Sequence, residues 1–86
     1  MKYTLDKIID LAQNVELGDG IDWEGLNVDR DRVYHIMASQ VCEMFAREDF
    51  ANTDKEAIML ATIVKLIVEN FVLNIKLESG DYYGKN

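Results

Sequence analysis

LIVENFVLN, residues 66–74, lies in the most apolar part of the chain and yet carries Glu69, Asn70 and Asn74. How it is read decides the fold. As helix, it is the middle of a segment spanning residues 54–78, about 37 Å long at 1.5 Å per residue. As strand, Phe71, Leu73, Ile75 and Leu77 alternate with Val72, Asn74, Lys76 and Glu78. Ser79, Gly80 and Asp81 could then turn the chain into Tyr82 and Tyr83, giving a hairpin at about 71–83. An isolated hairpin is marginal, and the rest of the chain offers few strands to support it. The continuous helix is the preferred reading. The expected fold class is therefore all-α, a three-helix domain with a long C-terminal helix apolar nearly all round; an α+β fold with the C-terminal hairpin is the alternative.

Around such a helix, Ala57, Leu60, Ala61, Val64, Ile67, Val68, Phe71, Val72 and Ile75 cover one face, and Met59, Ile63, Leu66, Leu73 and Leu77 much of the other. Only Thr62, Lys65, Glu69 and Lys76 make a continuous polar stripe. A helix apolar nearly all round has to be buried nearly all round, and two shorter helices cover only one of its faces. The leftover face is expected to bury itself against a second copy, as symmetric dimers are the commonest oligomers. Asn70 and Asn74, one turn apart between the two apolar faces, would then meet their symmetry mates or nearby backbone and fix the register, because misaligned pairings leave a buried amide unsatisfied; the alternative is that both reach solvent at the edge of a monomeric bundle. The expected self-association residues are Met59, Ile63, Leu66, Asn70, Leu73, Asn74 and Leu77.

Working outward, Thr53 and Glu56 form a capping box that starts the third helix. A second helix is expected over residues 29–46, capped by Asn27 or Asp29, with Val33, Tyr34, Met37, Ala38, Val41, Met44 and Phe45 on its apolar face and Ile36 opposite. Phe50 should pack inward from the segment that follows. A first helix is expected over residues 4–17, capped by Thr4 and stopped by Gly18, with Leu5, Ile8, Ile9, Ala12 and Val15 in one stripe. Between the first two helices, residues 18–28 make an acidic connector whose Ile21, Trp23, Leu26 and Val28 are too apolar for a free linker. Trp23 should cover an end of the core. A short tail, residues 79–86, closes the chain.

Eighty-six residues make a single domain. A chain this short buries only roughly 60–65% of its unfolded surface, which places it near the lower limit for a self-sufficient core. One cysteine and one histidine cannot build a four-ligand zinc site or a disulfide framework, so oligomerisation is the remaining common support. The lone cysteine, and the charged sequence that follows Met1 in place of a signal peptide, point to a reducing, cytoplasmic location. A net charge of −7, with scattered basic residues, disfavours nucleic-acid binding, and the apolar runs are too short for an expected membrane span.

Chemistry-bearing constellations are weak. Asp31, His35 and Cys42 share an edge of the second helix, but Cys42 lies two turns beyond His35, outside hydrogen-bond reach. The acidic connector fails the calcium-loop pattern: a frame starting at Asn27 puts Arg32 where glycine belongs and Ala38 where the bidentate glutamate belongs. No phosphate loop, zinc-protease or nucleophile-elbow motif is present. The sequence therefore leads to expect no catalytic residues, no metal and no cofactor. What remains is a small acidic accessory protein that self-associates through its third helix and binds a protein partner, with Asp19, Asp22, Trp23 and Glu24 as a possible partner surface. An acidic regulator that mimics nucleic acid and a small metal-dependent helical enzyme are the alternatives.

Overall fold

The computed structural model describes residues 3–45 and 52–79. Three helices follow in order: α1 (Leu5–Gly18), α2 (Arg30–Phe45) and α3 (Asp54–Ser79). Among the described residues there is no strand, and residues 71–79 are helical. The hairpin alternative fails there because α3 continues through the alternating stretch; its distal part, with Tyr82 and Tyr83, lies outside the described residues. So do Phe50 and the remainder of the tail, while nothing is described of the Phe45 side chain.

Each start has a local chemical cause. The Thr4 hydroxyl accepts from the Lys7 N–H at 3.2 Å and opens α1. At α2, Asp29 is the capping residue, not Asn27: its Oδ1 accepts from the amides of Asp31 at 3.1 Å and Arg32 at 3.4 Å. At α3 the capping box is complete. Glu56 donates its N–H to Thr53 Oγ1, and Glu56 Oε1 accepts from the amides of Thr53 and Asn52. The end of α1 differs from expectation. Gly18 is its last helical residue, and Asp19 caps it at φ −143° and ψ 84°, donating its N–H to the Val15 carbonyl.

The core is a single cluster on one side of α3. Ala57, Leu60, Ala61, Val64 and Val68 meet Ile8 and Ala12 of α1 and Val33, Tyr34, Ala38 and Val41 of α2. Alanines at 12, 38, 57 and 61, all fully buried, let the helices approach closely. Met44, expected on the inner face of α2, is 74% exposed. Ile36 is exposed on the outer side, as its position on the helix requires. At 26 residues, α3 is about 39 Å long and runs the length of the molecule, whose principal extents are 47 × 24 × 18 Å.

Candidate functional site

The connector between α1 and α2 is folded against the bundle. Asp22 Oδ1 accepts from the Glu24 N–H, and the Leu26 N–H returns to the Trp23 carbonyl at 3.2 Å. Gly25, the third residue of that turn, has φ +83°, a value a type II turn demands and L side chains resist. The turn aims Trp23 inward. Its indole packs on the core, tilts against Tyr34 at 6.3 Å and donates to Glu16 Oε2 at 2.8 Å.

Glu16 is the hub of a polar cluster that the sequence reading missed. It is 8% exposed and also accepts from the Tyr34 hydroxyl and from Arg30 Nη2 at 3.2 Å. Arg30 lies over the Tyr34 ring, 5.7 Å from its centre. Burial pushes the Glu16 carboxyl upward, but the hydrogen bonds from Tyr34, Trp23 and Arg30 outweigh it and hold the group below its ordinary value. The same burial and the same carboxylate push the Tyr34 phenol well above the usual tyrosine range. A signal was there: Glu16 continues the Ile8 and Ala12 row at helical spacing, where an uncompensated carboxylate could not sit.

The connector's acids meet the polar stripe of α3. Lys65, only 1% exposed, places Nζ 3.0 Å from Asp19 and 3.0 Å from Glu69. Desolvation works against its charge, and the carboxylates of Glu69 and Asp19 more than restore it, so its pKa lies above the ordinary lysine value. Farther along, Lys76 pairs with Asp22 at 2.9 Å, which holds the Asp22 carboxyl below its ordinary range. The stripe of Lys65, Glu69 and Lys76 is thus a docking edge for the connector. A recess of about 280 Å³ lies beside it, lined by Ile21, Asp22, Glu69, Val72, Leu73 and Lys76 among others. Of the expected partner surface, Trp23 is half-buried, whereas Asp19, Asp22 and Glu24 remain exposed.

The face of α3 that starts at Leu73, on the edge of this recess, and turns away from the connector is bare. Met59, Leu66, Leu73 and Leu77 are 37–52% exposed, and Ile67 joins them. Asn70 and Asn74 are exposed on the same side, with Ile63 half-buried. At 100° per residue, Asn70 falls in the middle of this face and Asn74 at its margin, so Asn70 does not lie between two apolar faces as expected. By length and composition alone the helix is apolar enough to cross a membrane, and a third of its most apolar window is buried inside the domain. Three of its residues, Lys65, Glu69 and Lys76, take part in ion pairs.

Cys42 is buried, and desolvation pushes its thiol above the ordinary value, which suits a small core residue rather than a nucleophile. His35 is exposed, and Asp31 accepts from Gln13 Nε2 at 3.2 Å, tying α2 to α1. Among the described residues no three His, Cys, Asp or Glu side chains are grouped to hold a metal ion. Comparison with protein-family models, with curated proteins and with solved structures returned no match.

Proposed function

We infer that this chain is a small acidic interaction protein of the cytoplasm, without catalytic activity, which associates with itself through the outer face of α3 and binds a protein partner. One observation carries the reading: of the six large apolar residues exposed along α3, five, Met59, Leu66, Ile67, Leu73 and Leu77, share one face, while the connector pairs with Lys65 and Lys76 beside it. Contiguous apolar surface on a small domain marks an interaction site more often than chance exposure does. The exposed acids Asp19, Asp22 and Glu24 are the proposed contact surface for a basic partner, which would compete with Lys65 for Asp19 and with Lys76 for Asp22.

Light scattering over a concentration series tests the self-association. The expected result is a mass that rises toward a dimer in the wild type, and that Leu66→Glu holds at the monomer value while the circular dichroism spectrum is unchanged. A wild-type monomer at every concentration up to about 1 mM would overturn the reading.

A further inference from the structure

Met59, Ile63, Leu66, Asn70, Leu73 and Leu77 follow one another at intervals of four, three, four, three and four residues. That is the spacing of a coiled-coil seam, in which successive residues occupy alternating a and d positions. Ile63, Asn70 and Leu77 take the a positions; Met59, Leu66 and Leu73 take the d positions. The structure adds what the spacing alone cannot: Met59, Leu66, Asn70, Leu73 and Leu77 are exposed, Ile63 packs half-buried at the margin of the core, and the buried residues Ala57, Leu60, Val64 and Val68 occupy the far side of the same helix. We propose that the outer face of α3 binds the same face of a second copy of this chain, with the two α3 helices parallel, in register, and Asn70 paired with Asn70 across the two-fold axis. The proposal rests on the self-association inferred above and adds its geometry.

Three observations choose this occupant and this orientation. The first is that a seam with one polar a position is complementary to itself. In the parallel, in-register pair each Asn70 amide meets an identical amide that can both donate and accept. In the antiparallel pair that best overlays the seam, Asn70 lies against Leu66 and has no such mate. The second is charge. The parallel arrangement sets Glu69, beside the seam, across from Asn74 of the other copy, an amide that can donate to it. The antiparallel one brings the two Glu69 carboxylates together. The third is area. An extended chain of this mass exposes on the order of 170 Å² per residue, so Met59, Leu66, Ile67, Leu73 and Leu77 offer roughly 370 Å² per copy, and the exposed Asn70 and Asn74 bring the face to roughly 500 Å². A pair would bury about 1,000 Å², the lower bound for a specific interface. The expected dimer is therefore a dynamic one, dissociating in the micromolar range.

The test uses the full chain with Asn70→Cys under mild oxidation, analysed by denaturing electrophoresis. Facing a positions lie close enough for a disulfide, whereas the antiparallel arrangement displaces the two Cα atoms beyond the roughly 7 Å limit. The expected result is a covalent dimer from Asn70→Cys and none from the wild type, whose Cys42 is buried. A non-covalent dimer in which Asn70→Cys fails to link, while a mixture of Leu66→Cys and Asn70→Cys chains links, would overturn the parallel arrangement and leave the self-association standing. Failure of every chain to dimerise at any concentration would overturn both.

Sedimentation velocity of Asn70→Ile supplies a second readout. Removing the polar layer should tighten association at least tenfold and admit trimers or tetramers. A variant that associates no more tightly than the wild type would overturn the role given to Asn70. Binding of the wild type to phosphatidylcholine vesicles, with a monomeric mass in solution, would assign the face to a lipid surface and overturn the proposal.

Discussion

Along one flank of α3, Lys65 and Lys76 are covered by Asp19 and Asp22 of the connector; along the other, Met59, Leu66, Leu73 and Leu77 stand in solvent. Hydrophobic burial alone would have arranged the two flanks the other way round. Taking an ammonium group out of water is unfavourable unless anions replace the water, while each half-exposed leucine or methionine forgoes about 1 kcal/mol of transfer free energy. The connector nevertheless lies over the cations. Its own side chains explain this: Trp23 and Ile21 supply apolar contact with the core, and Asp19 and Asp22 supply the counter-charges. One flank is satisfied within the chain, and the other stands exposed.

Substitutions can break this contrast, and the largest effect is expected at the hub that anchors the connector. Glu16→Ala strips Trp23, Tyr34 and Arg30 of their common acceptor and should cost about 3 kcal/mol, read as a lower urea midpoint. Lys65→Ala, which removes both the buried stem and its ion pairs, should cost about 2 kcal/mol. Lys65→Met keeps the stem and should stay within about 1 kcal/mol of the wild type, because both acids regain water. If Met proved as damaging as Ala, the charge rather than the packing would be what holds the connector. On the bare flank, Leu66→Glu should change the stability of the monomer by less than about 0.5 kcal/mol. A large loss there would mean that the outer face belongs to the core.

The polar flank also sets limits in pH. Glu16 titrates below its ordinary value of 4.5 in the folded state. Its contribution is complete above that value and is lost as pH falls through the lower, folded pKa. Lys65 is the opposite case. Its folded pKa lies above 10.5, so its contribution is complete below 10.5 and is lost as pH rises through the raised value. The expected profile is a plateau between about pH 5 and 10 with an acid and an alkaline limb; the raised Tyr34 phenol shares the alkaline limb with Lys65, so Lys65→Met should reduce that limb without abolishing it and leave the acid limb unchanged.

Much of the architecture was legible because its determinants are local. The Thr53 and Glu56 box, the Thr4 cap and the helical spacing of Ile8 with Ala12, or of Ala57 with Leu60 and Ala61, each lie within a few residues. The buried charges were not legible for the converse reason. Lys65 is stabilised by Asp19, 46 positions away, and Glu16 by groups reaching it from the connector and α2. Lys65 stood in a polar stripe beside Glu69, its local partner, with nothing nearby to show its burial; at Glu16 the available signal was a charged residue inside an apolar row. It indicates that a partner must exist without saying which. The outer face and its place opposite the core were legible from helical spacing; the half-burial of Ile63 at its margin needed the packing of the bundle.

Trp23 is the chain's sole tryptophan, and its indole N–H is bound to a carboxylate that also holds α2 through Arg30 and Tyr34. The molecule therefore contains its own fluorophore at the joint between connector and bundle. Excited near 295 nm, where tyrosine scarcely absorbs, that one ring reports whether the joint is closed. Release of the connector should shift its emission to the red as water replaces Glu16, while a change confined to the distant flank of α3 should leave it where it was.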